Sequence, residues 1–213
     1  RLSMKADTSP SPTRRVTDAP TRMFHWLFAL CFTGAYLTSE SERVQVVHAA
    51  FGYTMVALLV FRLIYGWLGP RPVRWSSVIT KLKSGWAWCR TFQLQDVSAA
   101  NLRSAQNFAL VLATSCLLVL AVPLILSGHV LYIGTVDWLE SVHELVANIM
   151  LLLVLAHLGL LLLISVWCGK NLAIPMWRGR VAGAGPDLVA TPRIWLAFVL
   201  LMVSSAFGLW SVL

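Results

Sequence analysis

Charge is scarce in this chain. Of its 213 residues only 12% are Asp, Glu, Lys or Arg, where a soluble domain carries nearer a quarter. Acidic residues are fewest, nine against seventeen basic ones. With 58% of residues hydrophobic and a mean hydropathy of +0.72, a soluble core of this size could not hide so much apolar surface. The chain belongs in a bilayer. Its four cysteines, Cys31, Cys89, Cys116 and Cys168, form neither CxxC nor CxxCH, which argues against a zinc knuckle and a thioether-linked haem. Three of them lie in or beside apolar runs, as small packing residues do. Residues 1–20, rich in Ser, Thr, Pro and Arg, have no apolar core. They read as a disordered tail and not as a cleavable signal peptide. No nucleophile with its base, carboxylate dyad or phosphate loop stands out.

What the chain does have is five long apolar runs, at 23–39, 46–68, 106–128, 142–168 and 194–213. A bilayer core needs about 20 apolar residues per helix, and the first run reaches that with its interfacial flanks. Backbone groups in lipid must be satisfied within the segment, so each run is expected to be helical. The net charge of +8 reports topology and not nucleic acid: sixteen of the seventeen basic residues fall on one side if the N-terminus is inside. Only Arg43 falls outside, with Glu40, Glu42, Asp137 and Glu140. The positive-inside rule therefore predicts a multi-pass protein with the N-terminus in the cytoplasm and the C-terminus out. In the inner loop at about 69–105, Val78, Ile79, Leu82 and Trp86 recur at helical spacing beside Lys81, Lys83 and Arg90. That pattern suits a short helix in the membrane interface, or a solvated loop anchored by tryptophans.

All five histidines, His25, His48, His129, His143 and His157, lie in or at the edge of a span. Ionisable residues there carry a presumption of function, although any one alone reads equally as an interhelical hydrogen bond. Their depths separate the readings. His143 and His157 are fourteen residues apart on one helix. Fourteen residues rise about 21 Å and return to within roughly 40° of the same face. His48 shares the outer level with His143, and His25 the inner level with His157. Two facing neutral imidazoles are what an axially ligated b-type haem requires, with an apolar slot and no covalent attachment. Gly52, one turn after His48, and Gly34 either admit a porphyrin against the backbone or serve helix packing. Arg22 suits a haem propionate or an interfacial anchor. A metal transporter would add mid-membrane carboxylates, which the spans lack. His129 is left over, at the outer end of the third run.

The stretches "TRMFHWLFALCFTGAYLT", "HAAFGYTMVALLVFRLIYGWLGPRPVRW" and "HELVANIMLLLVLAHLGLLL" taken in order resemble the bacterial di-haem cytochrome b561 family. They are similar also to the cytochrome b subunits of nickel–iron hydrogenases and formate dehydrogenases. The resemblance covers roughly residues 20–175. It implies an all-α integral membrane protein whose four-helix bundle (21–175) holds two b haems. His48 and His143 would ligate the outer haem iron, and His25 and His157 the inner one. It further implies electron transfer across the bacterial inner membrane, between a periplasmic redox protein (a cytochrome c or a dehydrogenase or hydrogenase subunit) and quinone beside the inner haem.

Two departures from the family stand out. The third helix begins "NLRSAQNFAL" without the Gly-His-Asn-Pro type of entrance seen in the hydrogenase branch. A linker (176–193) leads to a fifth helix (194–213) that minimal members lack. Its Ser204 and Gly208 suit close helix contact, and through it the chain would join a homo- or hetero-oligomer; a plain lipid-facing anchor is the simpler reading. Two alternatives to the electron-transfer subunit remain: a stand-alone quinone oxidoreductase, for example one oxidising superoxide, and a haem-free membrane anchor.

Overall fold

Helix α1 (Ala19–Leu37) begins where Asp18 caps it, its carboxylate accepting from the Thr21 backbone N–H at 3.2 Å, with Pro20 in the first turn where a missing N–H costs nothing. The structure is a computed structural model and describes residues 12–39, 42–91, 99–134, 136–210 and 213. The remaining long helices are α2 (Gln45–Leu68), α3 (Trp75–Thr91), α4 (Ala99–Ile133), α5 (Asp137–Cys168) and α7 (Ile194–Trp210). A short helix α6 (Ile174–Arg178), two three-residue strands, β1 (Thr13–Arg15) and β2 (Arg180–Ala182), and two 3-10 turns (Glu42–Val44 and Arg71–Val73) complete the described elements. Helix α5 stops at Gly169, whose φ of +59° is the left-handed turn that lets the Lys170 N–H reach back to the Ser165 carbonyl.

Among the described helices α2, α4 and α5 are long and apolar enough to cross a membrane. Helix α1 is long enough but carries Arg22 and His25 in its first two turns, and α7 is apolar but only 17 residues long. The apolar side chains of the spans point outward more than inward: Leu152, Leu162 and Leu163 on α5 are each about two-thirds exposed. That is the inverse of a soluble helix and matches lipid as the surrounding medium.

The bundle packs α1 on α2, α4 on α5 and α2 on α4, with α7 against both α1 and α2. Its core brings together Phe24, Phe28 and Phe32 of α1, Met55 and Leu58 of α2, Ala121 and Leu124 of α4, and Met150 of α5. Where α1 crosses α2, Gly34 is a packing glycine: a Cβ there would lie 2.6 Å from Cζ of the Phe51 ring.

The fold corrects several expectations. Residues 12–20 are not a disordered tail: β1 pairs antiparallel with β2, Arg14 opposite Val181, and Arg15 and Arg180 both reach Asp187. The local composition is that of a tail, but the partner strand lies some 167 residues away and local composition cannot report it. Residues 1–11 lie outside the described residues. The stretch 176–193 is likewise no plain linker, since it supplies β2, and the Arg15 guanidinium donates to the Ala190 carbonyl at 2.9 Å. The helical reading of 78–90 holds, as α3, with the Phe108 ring of α4 closed over Gly85. Helix α4 runs past 128 to Ile133, so His129 lies inside its last turns and not at its end. In α7, Ser204 is 1% exposed and Gly208 faces Thr54 and Ala50 of α2. The small-residue face is thus covered by the chain's own helix, which replaces the plain lipid-facing anchor.

Candidate functional site

Helices α2 and α5 both begin at the end of the bundle away from the strands, and their first turns bring His48 and His143 together. The two imidazole rings lie 6.2 Å apart between centroids, inclined at 71°. Each is held through Nδ1. His48 Nδ1–H donates to the Ala35 carbonyl of α1 at 2.8 Å. His143 Nδ1 lies 2.9 Å from Ser127 Oγ of α4. Ser127 donates its own proton to the Pro123 carbonyl at 2.7 Å, so Oγ accepts from His143. Gly128 makes room for the ring, its missing Cβ falling 2.9 Å from His143 Cε1. Both imidazoles are thereby fixed in the tautomer whose Nε2 carries a lone pair.

Two helical turns further along, Met55 on α2 and Met150 on α5 are 2% and 1% exposed. Seven residues nearly restore the facing direction of a helix, so these side chains lie directly beyond the first pair. A further seven residues along α5 stands His157, within electrostatic reach of His25 from α1. The Nδ1 atoms of His25 and His157 are buried with no hydrogen-bond partner among the described residues. At the start of α1, the His25 ring meets the edge of Trp26 at 5.0 Å, and Trp26 Nε1 donates to the Met176 carbonyl of α6.

The four histidines thus stand at two levels, His48 with His143 and His25 with His157, separated by a buried apolar layer. A centroid separation near 6 Å leaves room for one metal atom, given two metal–nitrogen bonds of about 2 Å each plus the ring radii. No group of three or more His, Cys, Asp or Glu that would hold a bare metal ion occurs among the described residues. Two ligands without a third suit a cofactor that brings its own equatorial nitrogens. Gly52, on the helix of His48, has nothing beyond its own helix backbone and chain neighbours within 4 Å of where its Cβ would stand, an open flank next to the first pair. Gly34 does not contribute such space. Arg22 has two donors committed to carbonyls, Nη1 to Trp177 at 2.7 Å and Nε to Asp18 at 3.4 Å.

A family model of prokaryotic cytochrome b561 matches residues 16–179. The chain belongs to the prokaryotic cytochrome b561 family. The match takes in both histidine pairs and α6, and stops before β2 and α7. No curated relative and no solved structure matches the chain. Cytochromes of this family bind b-type haem and carry electrons across membranes.

Several contacts around the candidate site of this cytochrome b561 carry no signal in the sequence. Ser127 and the Ala35 carbonyl have no local motif. His129 is exposed and bonds through Nδ1 to the Tyr53 hydroxyl at 3.0 Å, with Tyr132 edge-on to Tyr53. At the strand end, buried Asp18 accepts a hydrogen bond from the Tyr65 hydroxyl, which accepts in turn from Arg193 Nη1 at 3.1 Å. Beside this network, between α2 and the start of α7, opens a cavity of about 730 Å³ lined by Phe61, Ile64, Tyr65, Leu68, Arg193 and Trp195 among others.

Proposed function

We propose that this cytochrome b561 carries electrons across the bacterial inner membrane through two b haems, between a periplasmic redox protein and the quinone pool. His48 and His143 hold the outer haem iron; His25 and His157 hold the inner one. The observation that carries this reading is the first pair: two neighbouring imidazoles, 6.2 Å apart between centroids, each with its Nδ1 proton committed to an acceptor, which leaves the Nε2 lone pair of each to a metal. A bound haem supplies reversible one-electron chemistry at its iron. The chain's residues do the rest. Ser127 and Ala35 orient the outer ligands and raise their basicity. Met55, Leu58 and Met150 keep water out of the layer between the two levels.

The orientation rests on the charge pattern, with β1, β2 and the 169–193 stretch on the cytoplasmic side. The fifth helix, α7, crosses with its small-residue face on α2. The cavity between α2 and α7 suits quinone at the inner level. Its walls are apolar, as an isoprenoid tail requires, while Tyr65 and Arg193 present hydrogen-bonding groups to a carbonyl-bearing ring.

The test is haem content of the purified chain, from pyridine haemochrome absorbance and a dithionite-reduced minus oxidised spectrum. Two b haems per chain are expected. None, after expression with sufficient haem supply, overturns the reading and leaves the histidines as packing residues.

A further inference from the structure

Arg62 is the most anomalous charge in the spans. It lies fourteen residues beyond His48 on α2, as His157 lies fourteen beyond His143 on α5. Since α2 and α5 start together at the His48–His143 pair and run the same way, Arg62 falls on the inward stripe at the level of His157 and His25. Its Nη1 is buried with no hydrogen-bond partner among the described residues. A guanidinium N–H buried at the inner end of a span without an acceptor is disfavoured, so such a group marks a missing partner.

The chain has built a holder for this side chain. The Arg62 guanidinium carbon lies 4.5 Å from the centroid of the Trp75 ring, a cation–π contact that fixes the head group without neutralising it. Trp75 is pinned by its Nε1–H donating to the Leu63 carbonyl at 3.1 Å. Gly66 gives the indole its place, because a Cβ there would run into the ring. Among the described residues, the carboxylates at this end of the bundle do not serve. Asp18 is taken by Thr21 and Tyr65, and Asp187 by Arg15 and Arg180. An anion carried by the cofactor would supply the missing partner. A b-type haem carries two propionates on one edge, in reach of the groups around its iron ligands.

We propose that Arg62 is the counter-charge for a propionate of the haem held by His25 and His157. The inference rests on the two-haem reading above. Arg22 differs from Arg62 in that two of its donors already have carbonyl partners. The fork of Arg62 supplies paired N–H groups to a carboxylate, and Trp75 sets its angle.

The test compares R62Q and R62K with the unaltered holoprotein, reading haem content, the midpoint potential of each haem and the resonance Raman band of the propionate bend. Removing a positive charge beside one haem favours its oxidised form. R62Q is expected to shift one haem's reduction equilibrium about tenfold, some 59 mV downward for a one-electron couple. The propionate band moves with it, the second haem stays as it was, and R62K recovers most of the potential. Selective loss of one haem in R62Q with retention in R62K supports the proposal equally. Two haems with unchanged potentials and an unchanged propionate band in R62Q overturn it. Loss of both haems in both variants also overturns it, because Arg62 would then serve folding. A wild-type chain holding fewer than two haems instead overturns the two-haem reading on which the proposal stands.

Discussion

A histidine makes a better oriented and more basic metal ligand when its other nitrogen is told where its proton belongs. In this cytochrome b561 that instruction comes from Ala35 for His48 and from Ser127 for His143, and the second is a side chain that can be removed. S127A deletes the acceptor while leaving the helix intact, since the Ser127 hydroxyl otherwise bonds back only to carbonyls of its own helix, Pro123 and Leu124. Outer-shell partners of this kind are worth about 10- to 100-fold in metal affinity. The expected outcome is that S127A loses outer haem to apomyoglobin that much faster than the parent, with inner haem retained. Equal loss from both sites would separate Ser127 from His143. Gly34 makes the contrasting case of a residue that acts only by packing. G34A drives a Cβ into the Phe51 ring, 2.6 Å from Cζ, and is expected to cost about 1–3 kcal/mol of stability with both haem spectra unchanged. Thermal loss of the Soret band in detergent reads the difference.

Along the elements, the site was legible wherever it was periodic. The fourteen-residue interval between His143 and His157 identifies a stripe on α5, and the structure extends it through Met150 and repeats it on α2 as His48, Met55 and Arg62. The two levels could be read from the sequence because helical geometry alone carries a residue from one to the next. Ser127 and the pairing of β1 with β2 could not, because each depends on a contact between segments far apart in the chain. The tail was misread for the same reason: Thr13 to Arg15 carry no strand signal until β2 arrives beside them. These distant contacts differ in weight. Asp187 receives Arg15 and Arg180 at the surface, and exposed pairs of that kind contribute no more than about 1 kcal/mol. Asp18 is buried, caps α1 and accepts from Tyr65, so D18A removes a helix cap and leaves other groups unpaired. It is expected to lower stability by about 1–3 kcal/mol, and D187A by far less. Thermal unfolding of both variants in one detergent tests the ranking; a D187A loss as large as that of D18A would make the strand pair the stronger clasp.

For the whole molecule, the arrangement amounts to two levels of paired histidines along the bundle with a buried apolar layer between them, which the proposed function reads as two haem sites. Fourteen residues of helix separate the levels by about 21 Å, most of the thickness of a bilayer core. Each level draws one histidine from α5, while the other comes from α2 for the first and α1 for the second. Because α5 is shared, the sites are physically linked; because the partner helices differ, they are separable by mutation. H157A is therefore expected to remove the inner haem and leave the outer one, whose ligands and whose acceptors, Ala35 and Ser127, are untouched. H48A is expected to do the reverse. The measurement is haem per chain combined with a potentiometric titration, in which each variant should show one wave where the parent shows two. The alternative pairing, in which each haem bridges two levels, predicts that H157A disturbs both waves at once. With α5 holding both of its histidines on one stripe, that alternative would require one porphyrin to span about 21 Å between iron ligands, and no single iron can do so.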